Sequence, residues 1–260
     1  MLPFVERVPT AKEIERFRLI LSTYQDGTGM LKAKDDTLPG WRDFERSVAA
    51  AFGGIALETK GVYDVVLTDS GTAAQYGLSC KMRSTLKEVD RKGRVTIELS
   101  NASGEFWDSI KNAGLTQEDY HEQASTAGAI LIAVVEKWHE NVGVESGGFI
   151  DNSKSSYLSL QWNRNIGDYQ LFHYPIDLPD AKTLQWEVLG RRLVGYDHYG
   201  VLFEWYGLSG GQFKYYPLAD TALWQSERFR LEPLPTNLEY GLQRKAQAYF
   251  PEKWLQVNSE

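Results

Sequence analysis

The chain has very little cysteine and no long apolar segment. Cys80 is its single cysteine, which excludes an internal disulfide and a metal site built from several thiolates. The longest apolar run, residues 127–135, falls well short of the roughly 18 residues that a membrane span requires. The first residues also lack the apolar core of a signal peptide. We therefore expect a cytoplasmic protein with no membrane partner.

An excess of positive charge is also absent. The 28 lysines and arginines are outnumbered by 35 acidic residues, which gives a formal net charge of −7. A protein that coats nucleic acid passively would be basic overall. An enzyme acting on DNA is still compatible with this balance, because it concentrates acidic groups at a metal site and gathers cations on one face.

The 260 residues are enough for a substantial core, and their pattern predicts an α/β fold. Residues 10–24 and 41–52 have helical periodicity, and a helix is also expected to begin with Ser103 as its N-cap. Short alternating strands are predicted around 63–68, 76–82 and 94–100, and residues 127–136 are interpreted as a buried central strand. After residue 145 the sequence becomes rich in aromatic residues and turns. We expect residues 1–145 to form an α/β core and 146–260 a β-rich extension that is integrated with it.

The segment from Trp41 to Arg83 contains acidic and basic residues in an order that is typical of a hydrolytic metal site. Glu45 lies in the second predicted helix, and Asp64 heads an apolar strand. In the following strand, alternation places Ser79 and Lys81 on the face opposite the apolar residues. An antiparallel turn between the two strands would bring Asp64 close to Lys81. Carboxylates hold hard cations such as Mg²⁺, and a lysine can stabilise charge on a phosphate or an attacking water.

This arrangement resembles the PD-(D/E)xK nuclease superfamily, which includes many type II restriction endonucleases. The resemblance rests on Phe44-Glu45 in the helix, on Asp64 in Gly61-Val62-Tyr63-Asp64-Val65-Val66, and on Lys81 in Ser79-Cys80-Lys81. It covers residues 41–135 and implies a mixed β-sheet flanked by helices. It also implies Mg²⁺-dependent hydrolysis of double-stranded DNA, with Asp64 as a metal ligand, Glu45 at a second or outer position, and Lys81 orienting or deprotonating the attacking water.

The chain departs from the family pattern at Ser79, where an acidic residue is usual. Some members of the family recruit a carboxylate from a later element instead. Two residues are candidates for this role: Glu98 on the predicted strand 94–100, and Glu105 in the first turn of the helix that follows. We favour Glu98 as the further metal ligand, because Glu105 is also explained as a favourable charge at a helix N-terminus.

The family resemblance also implies partners. A two-fold homodimer is the expected assembly, since restriction sites are commonly palindromic. A cognate methyltransferase is expected as a functional companion and not as a bound partner. Phosphate or base contacts are predicted for four arginines of the second half: Arg191, Arg192, Arg228 and Arg230.

Two other interpretations remain open from the sequence. The Ser79 departure favours a catalytically inactive nuclease fold that binds DNA or protein. Alternatively, the motif is accidental and the aromatic second half binds a sugar or another small ligand. Serine hydrolase chemistry is disfavoured, because no Gly-x-Ser-x-Gly motif is present.

Overall fold

The computed structural model describes residues 3–33, 37–57, 61–100, 103–235 and 238–258, and these residues form a mixed α/β fold. The helices are α1 (Ala11–Ser22), α2 (Trp41–Phe52), α3 (Leu86–Lys92), α4 (Ser103–Asn112), α5 (Ala124–Val142), α6 (Leu238–Tyr249) and α7 (Pro251–Asn258). The strands are β1 (Leu31–Lys32), β2 (Thr37–Leu38), β3 (Ile55–Ala56), β4 (Val65–Thr68), β5 (Gln75–Arg83), β6 (Ile97–Ser100), β7 (Ser156–Asn163), β8 (Asp168–Pro175), β9 (Gln185–Leu189), β10 (Arg192–Asp197), β11 (Gly200–Trp205), β12 (Phe213–Tyr215), β13 (Trp224–Gln225) and β14 (Phe229–Arg230). The predicted α/β class is confirmed.

The larger sheet has the order β13-β8-β7-β5-β4-β3, and β14 also pairs with β8. Strands β5 and β7 are parallel, whereas the pairs β4–β5 and β7–β8 are antiparallel. The sheet is therefore mixed, with β5 near its centre. A parallel pair needs a long crossover connection, and here residues 84–155 provide it.

The second sheet has the order β6-β12-β11-β10-β9 and is antiparallel throughout. Its edge strand β6 comes from the first half of the chain, while β7 and β8 of the larger sheet come from the second half. Both sheets consequently contain strands from either side of residue 145. This topology brings a side chain on β6 close to the end of β5.

Helices α1 and α2 cover one face of the larger sheet. Thr10 and Glu13 form a capping box at the start of α1, and Gly53 ends α2 with a φ of 75°. Phe44 and Val48 of α2 pack in one cluster with Leu78 and Cys80 of β5. The predicted alternation along β5 is confirmed, because these residues and Met82 contact the same apolar layer.

The prediction of a central strand at residues 127–136 was wrong, since these residues lie in helix α5. Its buried residues include Ala127, Leu131, Val135 and His139, spaced four positions apart, so that one face packs on the core. A continuous apolar run does not by itself distinguish a buried strand from a buried helix. The helical form also places Gly128 directly against the ring of Trp186.

Two smaller elements also differ from the prediction. Residues 86–92 form the unpredicted helix α3, which Gly93 ends in a left-handed conformation with a φ of 66°. The sequence also predicts a short helix from Glu118 to Ala124, but residues 117–123 form turns before α5 begins. Helix α4 starts at Ser103 as predicted, but the Ser103 side chain and its expected capping role lie outside the described residues.

No helix in the described ranges is both long enough and apolar enough to cross a membrane.

The packing of α5 generates a stability prediction at Gly128. A methyl group added there would lie 2.3 Å from the Trp186 ring, so Gly128→Ala should lower the free energy of unfolding by about 1–3 kcal/mol. Gly104→Ala is the matched control, because Gly104 is in helix α4 with no atom within 4 Å of the added methyl. The control should be neutral or stabilising by up to about 1 kcal/mol. Urea unfolding measures both changes, and equal effects would contradict the placement of Gly128 against Trp186.

Candidate functional site

Asp64 and Lys81 are brought together by the pairing of β4 with β5. Val65 is opposite Leu78 in the antiparallel register, so Asp64 lies just before β4 and beside the second half of β5. The Cys80 amide donates a 2.7 Å hydrogen bond to the Asp64 Oδ2 atom. The Lys81 Nζ atom is 3.2 Å from the same oxygen. The predicted approach of these two side chains is therefore observed, and one carboxylate oxygen is held by a backbone amide and an ammonium group.

A cleft of about 370 Å³ opens at this point of the sheet. Four of the predicted site residues line it, namely Glu45, Asp64, Lys81 and Glu98. Ser79 is not among the lining residues and is only 4% exposed. The complete lining consists of Trp41, Glu45, Asp64, Cys80, Lys81, Met82, Arg83, Glu98, Leu99 and Ser100.

Helix α2 supplies Glu45, which is only 5% exposed. The neighbouring Arg42 approaches its carboxylate, with 4.0 Å between Nη1 and Oε2. Asp43 is equally buried, but its Oδ2 atom accepts hydrogen bonds from the amides of Met30 and Gly40. Asp43 thus has a structural role at the start of α2, whereas Glu45 faces the cleft.

The two candidates for the further acidic residue occupy different places. Glu98 on β6 lines the cleft, and its carboxylate contacts the guanidinium group of Arg83. Glu105 on α4 accepts a 2.6 Å hydrogen bond from the indole of Trp138 and is not part of the cleft lining. The geometry therefore favours Glu98 over Glu105.

Gln161 on β7 links the larger sheet to the start of β6. It is fully buried, and its amide group donates to the Thr96 carbonyl at 2.9 Å and to the Ser159 hydroxyl at 2.7 Å. Its carbonyl accepts from Thr85 at 2.5 Å. Since Thr96 immediately precedes β6, this network fixes the start of the strand that carries Glu98 relative to the larger sheet.

Cys80 does not have the properties of a nucleophile. Burial raises the pKa of its thiol well above the ordinary value, and the nearby Asp64 carboxylate raises it further. A thiolate is the reactive form of cysteine, so the side chain remains in the unreactive thiol form.

The four arginines predicted to contact DNA lie outside this cleft and have partners within the protein. Arg192 pairs with Glu204 at 2.5 Å, and Arg230 pairs with Asp168 at 2.8 Å. Arg228 contacts Asp90, and Arg191 donates to a backbone carbonyl. DNA contact by these four residues stays a prediction.

Sequence reasoning did not select Trp41 and Arg83, which both line the cleft. Arg83 could have been found, because it follows Ser79 and Lys81 at the same two-residue spacing along β5. Trp41 gave a weaker signal, since a large exposed side chain at the first position of a helix is not specific for any function.

The donor set of the cleft fits Mg²⁺ bound by few protein ligands. Mg²⁺ is commonly held by one or two carboxylates, with water and substrate phosphate completing its coordination. Asp64, Glu45 and Glu98 offer carboxylate oxygens to one cleft. Over the described part of the chain, no group of three or more His, Cys, Asp or Glu side chains is close enough to hold one ion. One or two of the three carboxylates would be the protein ligands of such an ion.

Comparisons of the chain with protein-family models, with curated proteins and with solved structures found no match. The geometry of the cleft is therefore the basis for a proposed function.

The lowered pKa of the buried His139 predicts that the stability of the fold depends on pH. Burial, and secondarily the Lys81 charge, lower the pKa of His139 to about 4. The unfolded chain has a histidine pKa near 6.5, so the neutral buried form stabilises the fold above about pH 6.5. This contribution should be lost as the pH falls from about 6.5 to about 4, by roughly 3 kcal/mol at most.

The variant that tests this pH dependence is His139→Phe, which keeps an aromatic ring beside Tyr63 and Tyr157 and removes the titration. Unfolding free energies measured at pH 7 and pH 4.5 should fall less in this variant than in the wild type. His121→Gln is the control, since the His121 side chain is 53% exposed. An equal loss in wild type and His139→Phe would show that His139 does not titrate as described.

Proposed function

We propose that the chain is a metal-dependent endonuclease that hydrolyses phosphodiester bonds of double-stranded DNA. The observation that carries the proposal is the convergence of Glu45, Asp64, Lys81 and Glu98 on one cleft. Glu45 comes from helix α2, Asp64 from the residue just before β4, Lys81 from β5, and Glu98 from β6 of the second sheet. Three carboxylates and a lysine from four separate segments of the chain therefore line the same cleft.

Each side chain has a role that follows from its position. Asp64 is oriented by the Cys80 amide and would be the principal metal ligand, with Glu98 or Glu45 as the further carboxylate. Lys81 would orient the attacking water and stabilise negative charge on the phosphate. In the reaction, a water oxygen forms the new bond to phosphorus, the bond to one sugar oxygen breaks, and that oxygen gains a proton.

A bound Mg²⁺ would supply a Lewis acid that stabilises charge on the phosphate oxygens. The side chains of the protein are already positioned before that charge develops. The Lys81 ammonium lies 3.2 Å from Asp64, so a cation and an anion are already fixed in relative position. Arg83, which contacts Glu98 and lines the cleft, would be a second cation for a phosphate oxygen.

The finer assignment is a type II restriction enzyme with a restriction-endonuclease-like core. Its support is the mixed sheet with β5 near the centre, the packing of α2 on that sheet, and the order Glu45, Asp64, Lys81 along the chain. Under this assignment a homodimer would bind a two-fold symmetric DNA site. The cytoplasm would be the place of action.

An inactive DNA-binding nuclease fold is the competing function. It is favoured by the cations that already contact Asp64 and Glu98, and by the serine at position 79. Incubation of plasmid and phage DNA with Mg²⁺ or with EDTA distinguishes the two. Discrete fragments that form only with Mg²⁺ are expected for the endonuclease, and intact DNA under both conditions would support the inactive fold.

Asp64 and Lys81 should both be essential for cleavage. Lys81→Ala should reduce turnover by at least about 100-fold, because such electrostatic groups contribute several kcal/mol in the transition state. Asp64→Asn should give a similar loss and should weaken Mn²⁺ binding in calorimetry, because a neutral amide is a poor ligand for a hard cation. Circular dichroism checks that both variants fold. Wild-type turnover in either variant would remove that residue from the mechanism.

The further carboxylate is tested by a pair of matched glutamine substitutions. Glu98→Gln should nearly abolish cleavage, since it removes charge from the cleft, whereas Glu105→Gln should leave cleavage close to the wild-type rate. Ser79→Ala should also be mild, because the buried serine does not line the cleft. The reverse order of the two glutamine variants would assign the role to Glu105.

A further inference from the structure

A second pocket, of about 580 Å³, lies beside the cleft and is lined by residues of helix α3 and of the five-stranded sheet. It combines cationic side chains, which can contact phosphate, with tyrosine rings, which can stack against a base. Its lining consists of Thr85, Glu88, Lys92, Arg94, Thr96, Tyr199, Val201, Glu204, Lys214 and Tyr216.

The pocket and the cleft meet at one pair of residues. Lys214 of β12, which lines the pocket, is opposite Glu98 of β6, which lines the cleft. Arg83 lies at the same boundary. Burial, and secondarily the Arg83 charge, lower the pKa of Lys214. A strand of nucleic acid with a phosphate in the cleft would therefore have its neighbouring nucleotide at the pocket.

Lys214 is the cation of the pocket that is available to a ligand. Its ammonium lies 4.5 Å from the centre of the Tyr206 ring, and within the described ranges no carboxylate forms an ion pair with it. Glu204 of β11 is opposite Lys214 in the strand register, and its charge partly offsets the lowered pKa of Lys214. The Glu204 carboxylate is held by Arg192 at 2.5 Å and accepts hydrogen bonds from the hydroxyls of Tyr216 and Tyr206 at 2.6 and 3.0 Å.

Tyr199 gives the pocket an exposed aromatic wall. It lies in the turn between β10 and β11 and is 65% exposed. The Asp197 carboxylate anchors the turn. It accepts a hydrogen bond from the Tyr199 amide at 2.8 Å and forms an ion pair with the buried Arg94 at 2.5 Å. Because the turn is anchored, little conformational entropy would be lost when the exposed Tyr199 ring stacks against a ligand.

We propose that this pocket binds the DNA nucleotide that flanks the scissile phosphate, with Lys214 contacting its phosphate and Tyr199 stacking against its base or sugar. This inference rests on the proposed endonuclease function, and it adds a substrate-positioning element that is separate from the carboxylate cleft.

The test measures DNA binding in EDTA, where hydrolysis does not occur. The probe is a pool of short, fluorescein-labelled DNA duplexes of random sequence, followed by anisotropy at several salt concentrations. Lys214→Met should weaken binding about 10-fold and make the dependence of log K on log salt shallower by about one unit. Tyr199→Ala should weaken binding about 10-fold, which is within the range for loss of one stacked base.

Matched variants separate the proposed contacts from general effects. Lys214→Arg and Tyr199→Phe keep the charge and the ring, so both should bind like the wild type. Lys12→Met removes an exposed lysine of helix α1, far along the chain from the pocket, and should also leave affinity unchanged. Affinities of Lys214→Met and Tyr199→Ala equal to that of the wild type would overturn the proposal.

The outcomes distinguish this inference from the proposed function. If the wild type cleaves with Mg²⁺ but both pocket variants bind and cleave normally, the pocket proposal fails and the endonuclease function stands. If no cleavage occurs but the pocket variants lose DNA affinity, the pocket stands and the hydrolytic function fails. An RNA duplex that binds more tightly than the DNA pool would overturn the assignment to DNA.

Discussion

The hydrogen bond from the Cys80 amide to the Asp64 carboxylate is the interaction on which the candidate site depends. It fixes the direction of an acidic side chain that lies at the very start of β4, where the side chain would otherwise be free to rotate. Lys81 reaches the same oxygen only because β4 and β5 pair in one register. A slip of one residue would turn Lys81 toward the apolar layer and leave its charge buried among Leu78 and Phe44. The core packing therefore protects the geometry of the site.

The second constraint is the junction of the two sheets. Glu98 belongs to β6, which is hydrogen-bonded to β12 and not to β5, so its position in the cleft depends on tertiary packing. Gln161 supplies part of that packing through its bonds to Thr96 and Thr85. Since Gln161 is fully buried, losing its partners would leave polar groups unsatisfied at a cost of about 1–3 kcal/mol each. The junction also places Lys214 next to the cleft, which connects the hydrolytic residues to the proposed nucleotide pocket.

Local sequence patterns were sufficient for the parts of the site that depend on local structure. Helix α2 begins and ends where its helical periodicity predicted, and alternation along β5 separated Lys81 from the apolar face. The approach of Asp64 to Lys81 followed from a short antiparallel turn. The apolar run at 127–136 was misread as a strand, because the buried face of a helix and a buried strand have similar compositions over so few residues. The register of β6 with β12 places Glu98 opposite Lys214, although the two residues are more than a hundred positions apart in the sequence. No local sequence pattern predicts such a strand pairing.

The proposed endonuclease function requires that a divalent cation binds to Asp64 in the cleft. Anomalous diffraction from crystals soaked in MnCl₂ tests it most directly, because Mn²⁺ accepts the same oxygen ligands as Mg²⁺ and scatters anomalously. The account predicts a peak in the cleft bonded directly to an Asp64 carboxylate oxygen, with Glu98 or Glu45 as a neighbour, and no such peak in crystals of Asp64→Asn. Absence of a peak in the wild-type cleft at saturating MnCl₂, or an undiminished peak in Asp64→Asn, would contradict the account.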